Sequence, residues 1–314
     1  MHHEITHKEA IAALDGGELV ALKTTSDGPG LLRLAFHLGW LAATSAVMLA
    51  APNIWILLPV LLLHGIALVF LFSLEHECIH GTAFRTPLLN KILAEAAGFL
   101  LVLPPRYFRY FHFAHHRHTQ DAARDPELAS PRPRNAGEYL RYLTGLPYWR
   151  AQISTVFRSA LGKADYDFVP HGGRNSLVIE ARAYLTAYAA LALASLWQHW
   201  TLPLYLWIVP ALIGQPFLRA YLLAEHAACP LVADMLANTR TTFASRPVNL
   251  LAWNMPHHTA HHALPVVPFH RLPRLTARLD RHLKSRADGY VDAHRQIRAA
   301  WKSRLTSSAA DISS

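Results

Sequence analysis

Charged residues are scarce in this sequence, at 16% of its 314 residues, where soluble domains usually carry about a quarter. Acidic residues are fewer than basic ones, with 21 Asp and Glu against 30 Lys and Arg. The only cysteines are Cys78 and Cys229, so the sequence supports no disulfide framework. It has no internal repeat and no Gly-rich nucleotide loop, and its first thirty residues lack the pattern of a cleavable signal peptide. These absences argue against a soluble nucleotide-binding enzyme and a small secreted domain.

Long apolar runs are plentiful instead, since 52% of the residues are hydrophobic and the mean hydropathy is +0.14. A helix that crosses the hydrocarbon core needs roughly 20 such residues. Four runs approach that length: Leu31–Ala50, Ile54–Leu74, Ala183–Trp197 with the preceding turn, and Leu202–Leu223. Only three or four residues separate the members of each pair, which predicts two helical hairpins. The net charge of +9 then suits an anionic lipid surface, and we expect no nucleic acid partner.

A fifth apolar run, Leu88–Leu103, is interrupted by Lys91 and Glu95, so we predict a re-entrant or interfacial segment. Arg and Lys are frequent in the loop 104–175 and in the tail but absent from both hairpin tips, which puts the loop, the tail and both termini on the cytoplasmic side. We therefore expect one all-α membrane domain over residues 1–314, with four transmembrane helices in two hairpins. Its predicted segments are a cytoplasmic N-terminal segment (1–30), a first hairpin (31–74), a cytoplasmic helical cap carrying the first two histidine boxes (75–178, re-entrant at 88–103), a second hairpin (179–223) and a cytoplasmic part with the third box and a basic tail (224–314).

The tail carries leucines at helical spacing, at positions 272, 275, 279 and 283, among basic residues. This pattern fits a helix that lies on anionic headgroups. It fits equally well a helix that packs its leucines on its own domain.

Eight of the 21 histidines cluster in three boxes, at His76 and His80, at His112, His115 and His116, and at His258, His261 and His262. Residues spaced i, i+3 and i+4 share one face of a helix, so each box aims its imidazoles at one place. Neutral imidazole is a good ligand for iron, copper, nickel or zinc. Because eight imidazoles exceed the needs of one ion, we predict a two-metal site.

Other polar residues beside the boxes are candidates for orienting the metal ligands through hydrogen bonds. Glu77 and Glu225 each flank a histidine, while His118 and His257 are surplus to the second and third boxes. Asp125 is a further candidate, although a carboxylate before Pro126 also suits a turn or cap.

Two rival functions arise from the same residues. His76-Glu77-Cys78-Ile79-His80 matches the HExxH motif of zinc metalloproteases, which predicts an intramembrane protease. That reading leaves the other two boxes unexplained. A transporter would need ionisable groups inside the spans. Only His37 and His64 lie well inside, and we interpret them as hydrogen-bonded packing residues.

The three boxes, in this order around two hydrophobic hairpins, resemble the membrane fatty acid desaturase and hydroxylase superfamily. The likeness covers roughly residues 31–273, including Asn254-Met255-Pro256 and the Leu264-Pro265 segment. It implies a non-haem di-iron centre, O2 as co-substrate and an electron donor such as ferredoxin or cytochrome b5. It also implies a ninth metal ligand, His226, near the end of the last span. The sequence departs from some relatives at Leu222, where they have an asparagine.

What the resemblance implies for activity is the O2-dependent oxidation of a long-chain lipid. Our first expectation is a fatty-acyl or lipid desaturase, and our second is a lipid, carotenoid or hydrocarbon hydroxylase. No motif distinguishes between them, because the outcome depends on how the substrate chain is placed at the metals.

Overall fold

The computed structural model describes residues 5–312, so the first four residues of segment 1–30 and the last two of segment 224–314 lie outside the described part. Within it the protein is all-α, as predicted. The helices are α1 His7–Ala12, α2 Gly16–Lys23, α3 Asp27–Ala50, α4 Ile54–Val69, α5 Leu71–His80, α6 Pro87–Leu101, α7 Pro105–His118, α8 Ala136–Leu143, α9 Leu146–Ala160, α10 Arg174–Trp197, α11 Val209–His226, α12 Met235–Asn238, α13 Arg246–Leu251, α14 His258–Ala263, α15 Leu272–Leu279 and α16 Gly289–Ile312. A single turn of π-helix, Leu204–Ile208, precedes α11, and the strands β1 Thr241–Thr242 and β2 Arg286–Ala287 pair in parallel.

Four helical stretches are long and apolar enough to cross a membrane, which confirms the predicted number: Asp27–Ala50, Ile54–His80, His171–Trp197 and Leu204–His226. The second extends beyond its expected end at Leu74, because α5 continues the apolar helix through the first histidine box. Helices α6 and α7 meet at an angle of 95°. They would form a fifth membrane crossing only as a bent pair. The re-entrant segment, the two hairpins and the cytoplasmic cap therefore stay predictions.

The chain folds into two compact units, each built from separate stretches of sequence. We call Thr25–Ala114 with Tyr142–Arg219 the span unit. We call the residues up to Thr24, His115–Arg141 and the residues from Ala220 onward the tail unit.

Inside the span unit, the two histidines of the spans are hydrogen-bonded, as interpreted from the sequence. His37 Nε2 lies 2.7 Å from Ala67 O. His64 contacts the Thr44 hydroxyl at 2.7 Å through Nδ1 and Leu206 O at 2.9 Å through Nε2. Polar groups inside a membrane need such internal partners because no water is available there. These imidazoles therefore stabilise helix packing.

Two glycines let α4 and α11 approach closely. A Cβ on Gly214 would overlap the carbonyl oxygen of Gly65, and a Cβ on Gly65 would overlap that of Pro210. Small residues at helix contacts are a usual means of close packing in membranes, where van der Waals contact replaces the hydrophobic driving force.

The tail unit packs around α15, whose leucines form part of its core. Leu272 and Leu275 are fully buried, and Leu279 is 1% exposed. Of the two alternatives for this basic segment, the structure supports packing on its own domain. Attachment to lipid through these leucines is wrong, since they are not available at the surface.

The contact between α4 and α11 gives a test of the packing. We expect Gly214→Ala to lower the thermal unfolding midpoint in detergent by several degrees, because forcing atoms into a packed contact costs about 1–3 kcal/mol. Gly39→Ala is the matched control, since a Cβ on Gly39 of α3 meets nothing within 4 Å. Equal midpoints for the two variants would contradict the close approach.

Candidate metal centre

The histidine boxes lie on helices, as their spacing predicts. The first occupies the end of α5, the second the end of α7 and the third the short helix α14. Helix α5 stops directly after His80 because Gly81 adopts a left-handed conformation, with φ at 75°. Glycine takes this conformation without the steric penalty of a Cβ.

In the span unit, the structure brings together His76, His80 and His112. One candidate ligand nitrogen from each lies within 4.8 Å of the others. The ring centroid of His112 is 4.4 Å from that of His76 and 5.0 Å from that of His80. His76 and His112 are buried, so water competes little with a metal ion there.

In the tail unit, His115, His226 and His262 form a second group, with candidate ligand nitrogens within 4.8 Å of one another. All three are at least 96% buried. His226 lies beside the second and third boxes, where the resemblance places it. Two further pairs belong to the same unit. His258 Nε2 is 3.2 Å from His226 Nε2, and His261 Nε2 is 3.0 Å from His116 Nε2.

Each imidazole of the second group is oriented through Nδ1. His115 Nδ1 donates to Asp125 Oδ1 at 2.9 Å, and His226 Nδ1 donates to the carbonyl of Asn238 at 3.2 Å. The Thr119 hydroxyl gives its proton to His115 O, so at 3.1 Å it accepts one from His262 Nδ1. A metal-binding histidine is usually held in this way through its second nitrogen.

These bonds fix where the protons are. A carboxylate and a carbonyl only accept, so in their neutral forms His115 and His226 keep the proton on Nδ1 and a lone pair on Nε2. Their two Nε2 atoms nevertheless lie only 3.2 Å apart. His262 Nε2 is buried and has no hydrogen-bond partner among the described residues. Converging lone pairs repel unless a cation lies among them, so the chemistry of this group fits a bound metal ion.

Electrostatics favours the neutral, metal-binding form of His262 and the ionised form of Asp125. Burial, together with the surrounding imidazoles, lowers the pKa of His262 well below its usual value, so the ring is neutral at physiological pH. Burial alone would raise the pKa of Asp125. The hydrogen bonds from His115 and from the Gln120 and Glu127 amides outweigh it, so the pKa of this carboxyl lies below its usual range. Asp125 is therefore a carboxylate and its bond to His115 is charge-assisted.

The C-terminal end of α11, which positions His226, is capped by side chains that the sequence analysis did not identify. Gln120 Nε2 and Arg132 Nη1 donate to His226 O at 2.9 and 3.1 Å. Arg240 donates to the carbonyls of Ala224 and Ala227. The last carbonyls of a helix lack intrahelical partners and carry negative partial charge, so arginines suit them well.

These capping residues carried little signal in the sequence. Thr119 and Gln120 stand three and four residues after His116, the last histidine of the second box, which marks them as neighbours of its ligands. Arg132, Asn238 and Arg240 lie in segments whose polarity is typical of surface loops, yet Asn238 and Arg240 are buried.

The other predicted supporting residues differ in their surroundings. Glu225 Oε1 lies 3.4 Å from His258 Nδ1, and its role in orienting this ring stays a prediction. Glu77 accepts from the Thr82 hydroxyl at 2.8 Å. Burial lowers the pKa of His257 to about 4, and His118 ends α7 half-buried. Among the described residues neither His118 nor His257 joins a candidate metal group.

Taken together, the four membrane-length helices of the described residues and the buried histidine groups that could hold a metal ion are typical of an integral membrane metalloprotein. The fatty acid desaturase family matches residues 32–293, and the chain belongs to that family. Over 113 residues, 34% of this chain, it is 29% identical to the sn-1 oleoyl-lipid 12-desaturase of Picosynechococcus sp.. The matched stretch spans about a third of that relative's length, 33%.

Removing the carboxylate beside His115 tests its orienting role. We expect Asp125→Asn to lower metal affinity about 10- to 100-fold, the usual effect of losing a partner behind a metal-binding histidine. The measurement is an anaerobic titration with ferrous iron against a competing chelator. Asp121→Asn is the matched control, since Asp121 pairs with the exposed Arg124. An unchanged affinity in Asp125→Asn would contradict the role.

Metal stoichiometry tests whether the two groups bind separate ions. We expect about two ions per chain in the purified protein and a loss in His80→Ala and in His262→Ala, because each removes an imidazole from one group. His171→Ala, which changes an exposed histidine, is expected to keep the full content. Wild-type metal content in either group variant would show that the group in question holds no ion.

Proposed function

We propose that this protein is an O2-dependent di-iron oxidase of a long-chain lipid, and that it acts as a fatty-acyl or lipid desaturase. The observation that carries the proposal is the second histidine group, whose buried lone pairs converge with Nδ1 of each ring already engaged. Membership of the fatty acid desaturase family supports the same conclusion, since it suggests an oxidoreductase.

Nine histidines are the proposed iron ligands. One ion would be held by His76, His80 and His112. The other would be held by His115, His226 and His262. The two ligand sets would be completed by the remaining histidines, His116, His258 and His261. Iron is the metal that the family resemblance implies, and all-imidazole sites suit it. When bound, a pair of irons supplies the oxidising power for removing hydrogen from an unactivated C–H bond with O2.

The contribution of the chain itself is to fix the orientations of the ligands and to exclude water from them. Asp125, Thr119 and the carbonyl of Asn238 fix the imidazole orientations, while Gln120 and Arg132 fix the end of α11. Because these partners are buried, apart from the half-buried Arg132, ligand positions would be set before iron binds. Preorganisation of this kind confines the oxidation to a substrate C–H bond held at the site.

The proposed substrate is an acyl chain of a membrane lipid. The spans expose large apolar side chains, among them Leu32, Trp55 and Leu196, which suit contact with lipid tails. The partly matching relative is named as a desaturase of an oleoyl lipid. A substrate dissolved in the bilayer explains why such an enzyme is embedded there.

The orientation and electron supply are further parts of the proposal. We place both termini and the active site on the cytoplasmic side, because Arg and Lys concentrate in the loop 104–175 and the tail. Electrons would come from a soluble or membrane-bound donor such as ferredoxin or cytochrome b5.

The main alternative is a lipid, carotenoid or hydrocarbon hydroxylase with the same metal site. It would return oxygen to the carbon from which hydrogen was taken. The zinc metalloprotease has less support. It requires one metal, Glu77 as general base and a single further ligand, so it leaves most of the clustered histidines without a role.

Product analysis decides among these functions. We expect a bacterial host expressing the protein to accumulate lipids with one more double bond, detected by mass spectrometry as acyl chains lighter by two hydrogens. His80→Ala and His262→Ala should lower product by at least about 100-fold, since losing a ligand exceeds the effect of losing its orienting partner. His171→Ala should keep wild-type activity.

Growth under isotopically heavy O2 separates desaturation from hydroxylation. No label in the product supports desaturation, and label in the product would make the protein a hydroxylase. Activity without O2 that zinc chelators abolish would overturn both in favour of the protease.

A further inference from the structure

A cavity of about 420 Å³ lies in the span unit where the end of α5 meets the beginnings of α6 and α7. Cys78 and Ile79 of α5 line it, together with Ala94 of α6 and Pro105 of α7. Its volume lies within the range of small-molecule sites, about 300–1,000 Å³. The metal-group residues His76, His80 and His112 are not among its lining residues. The cavity is therefore a feature separate from the proposed active site.

Positive charge dominates its mouth. Arg85, Lys91, Arg106 and Arg109 line the cavity and are exposed, and Glu95 is the only carboxylate among the lining residues. Glu95 already accepts a hydrogen bond from the Tyr184 hydroxyl at 3.3 Å. An anion is the ligand that this arrangement favours.

The four cations differ in how firmly they are held. Arg106 lies 3.8 Å from Glu180, and Arg109 donates to Ile79 O while stacking over Phe113 at 4.2 Å. Lys91 makes no ion pair with any residue in the described part of the chain. Its ammonium group is therefore more available to a ligand than the guanidinium groups of Arg106 and Arg109.

The surroundings of Lys91 indicate where such a ligand comes from. Leu88 and Ile92, on the same helix α6, are 60% and 54% exposed. In an integral membrane protein, large apolar side chains beside an exposed lysine are typical of the boundary between acyl chains and headgroups. These neighbours favour a position of the cavity mouth at the phosphate layer of the bilayer.

The inner wall of the cavity contains buried apolar side chains. Ile79, Ala94 and Pro105 are buried, and a bare phosphate ion would leave this part of the cavity empty. A phospholipid supplies both parts, a phosphate for the basic mouth and a glycerol backbone with the first carbons of its chains for the wall. We propose that this cavity binds the headgroup phosphate of an anionic membrane phospholipid, independently of the proposed function.

Titration of lipid-free protein in a neutral detergent tests the site. The probes are dioctanoyl phosphatidylglycerol, dioctanoyl phosphatidylcholine and glycerol phosphate, and the readout is the thermal unfolding midpoint against probe concentration. We expect phosphatidylglycerol alone to raise the midpoint in the wild type. Lys91→Glu should weaken its apparent affinity at least about fivefold, the usual effect of one basic residue at an anionic lipid surface.

Matched variants keep the result interpretable. Lys163→Glu makes the same charge change at an exposed lysine outside the cavity and should bind like the wild type. Lys91→Arg should retain binding, and Lys91→Gln replaces Lys91→Glu if the latter does not fold. Equal affinities of the Lys91 and Lys163 variants would overturn the proposal. So would equal responses to the two lipids, and a response to glycerol phosphate equal to that to phosphatidylglycerol would assign the site to a soluble phosphate.

Discussion

The arrangement of the tail unit depends on one electrostatic constraint: unprotonated imidazole nitrogens cannot face one another closely without a positive charge between them. In the neutral forms of both rings, His115 and His226 do so at 3.2 Å, with their protons on the opposite side of each ring. Asp125, Thr119 and the carbonyl of Asn238 impose this geometry, and Gln120, Arg132 and Arg240 hold the helix end that carries His226. A cation bound among these imidazoles would relieve the repulsion, and the same polar contacts would then hold its ligands in place.

The parts of the molecule that the sequence predicts are those encoded locally. Four apolar runs gave the four spans, and the i, i+3, i+4 spacing gave the helices on which the boxes lie. The end of the second span was misplaced because His76 and Glu77 interrupt the hydropathy while the helix continues to His80. The roles of Asn238 and Arg240 could not be predicted, because they act on backbone carbonyls that only the tertiary fold brings to them.

Composition was also ambiguous where one pattern suits two environments. The leucines of α15 fit a lipid surface and a protein core equally, and only their burial separated the two. In contrast to the buried leucines of α15, Leu88 and Ile92 of α6 remain exposed next to Lys91. Amphipathic spacing thus reports that a helix has an apolar face, whereas what covers that face is a property of the whole fold.

The second histidine group joins side chains from three helices, and His262 stands 147 positions after His115 in the chain. Such a site does not exist until the chain has left the ribosome as far as His262 and the tail unit has folded. If the proposed function holds, iron loading is a late step of biogenesis, and its free energy of binding would add to the stability of the folded state. A cell short of iron would then accumulate an intact but weakened chain, exposed to the proteases that survey the membrane.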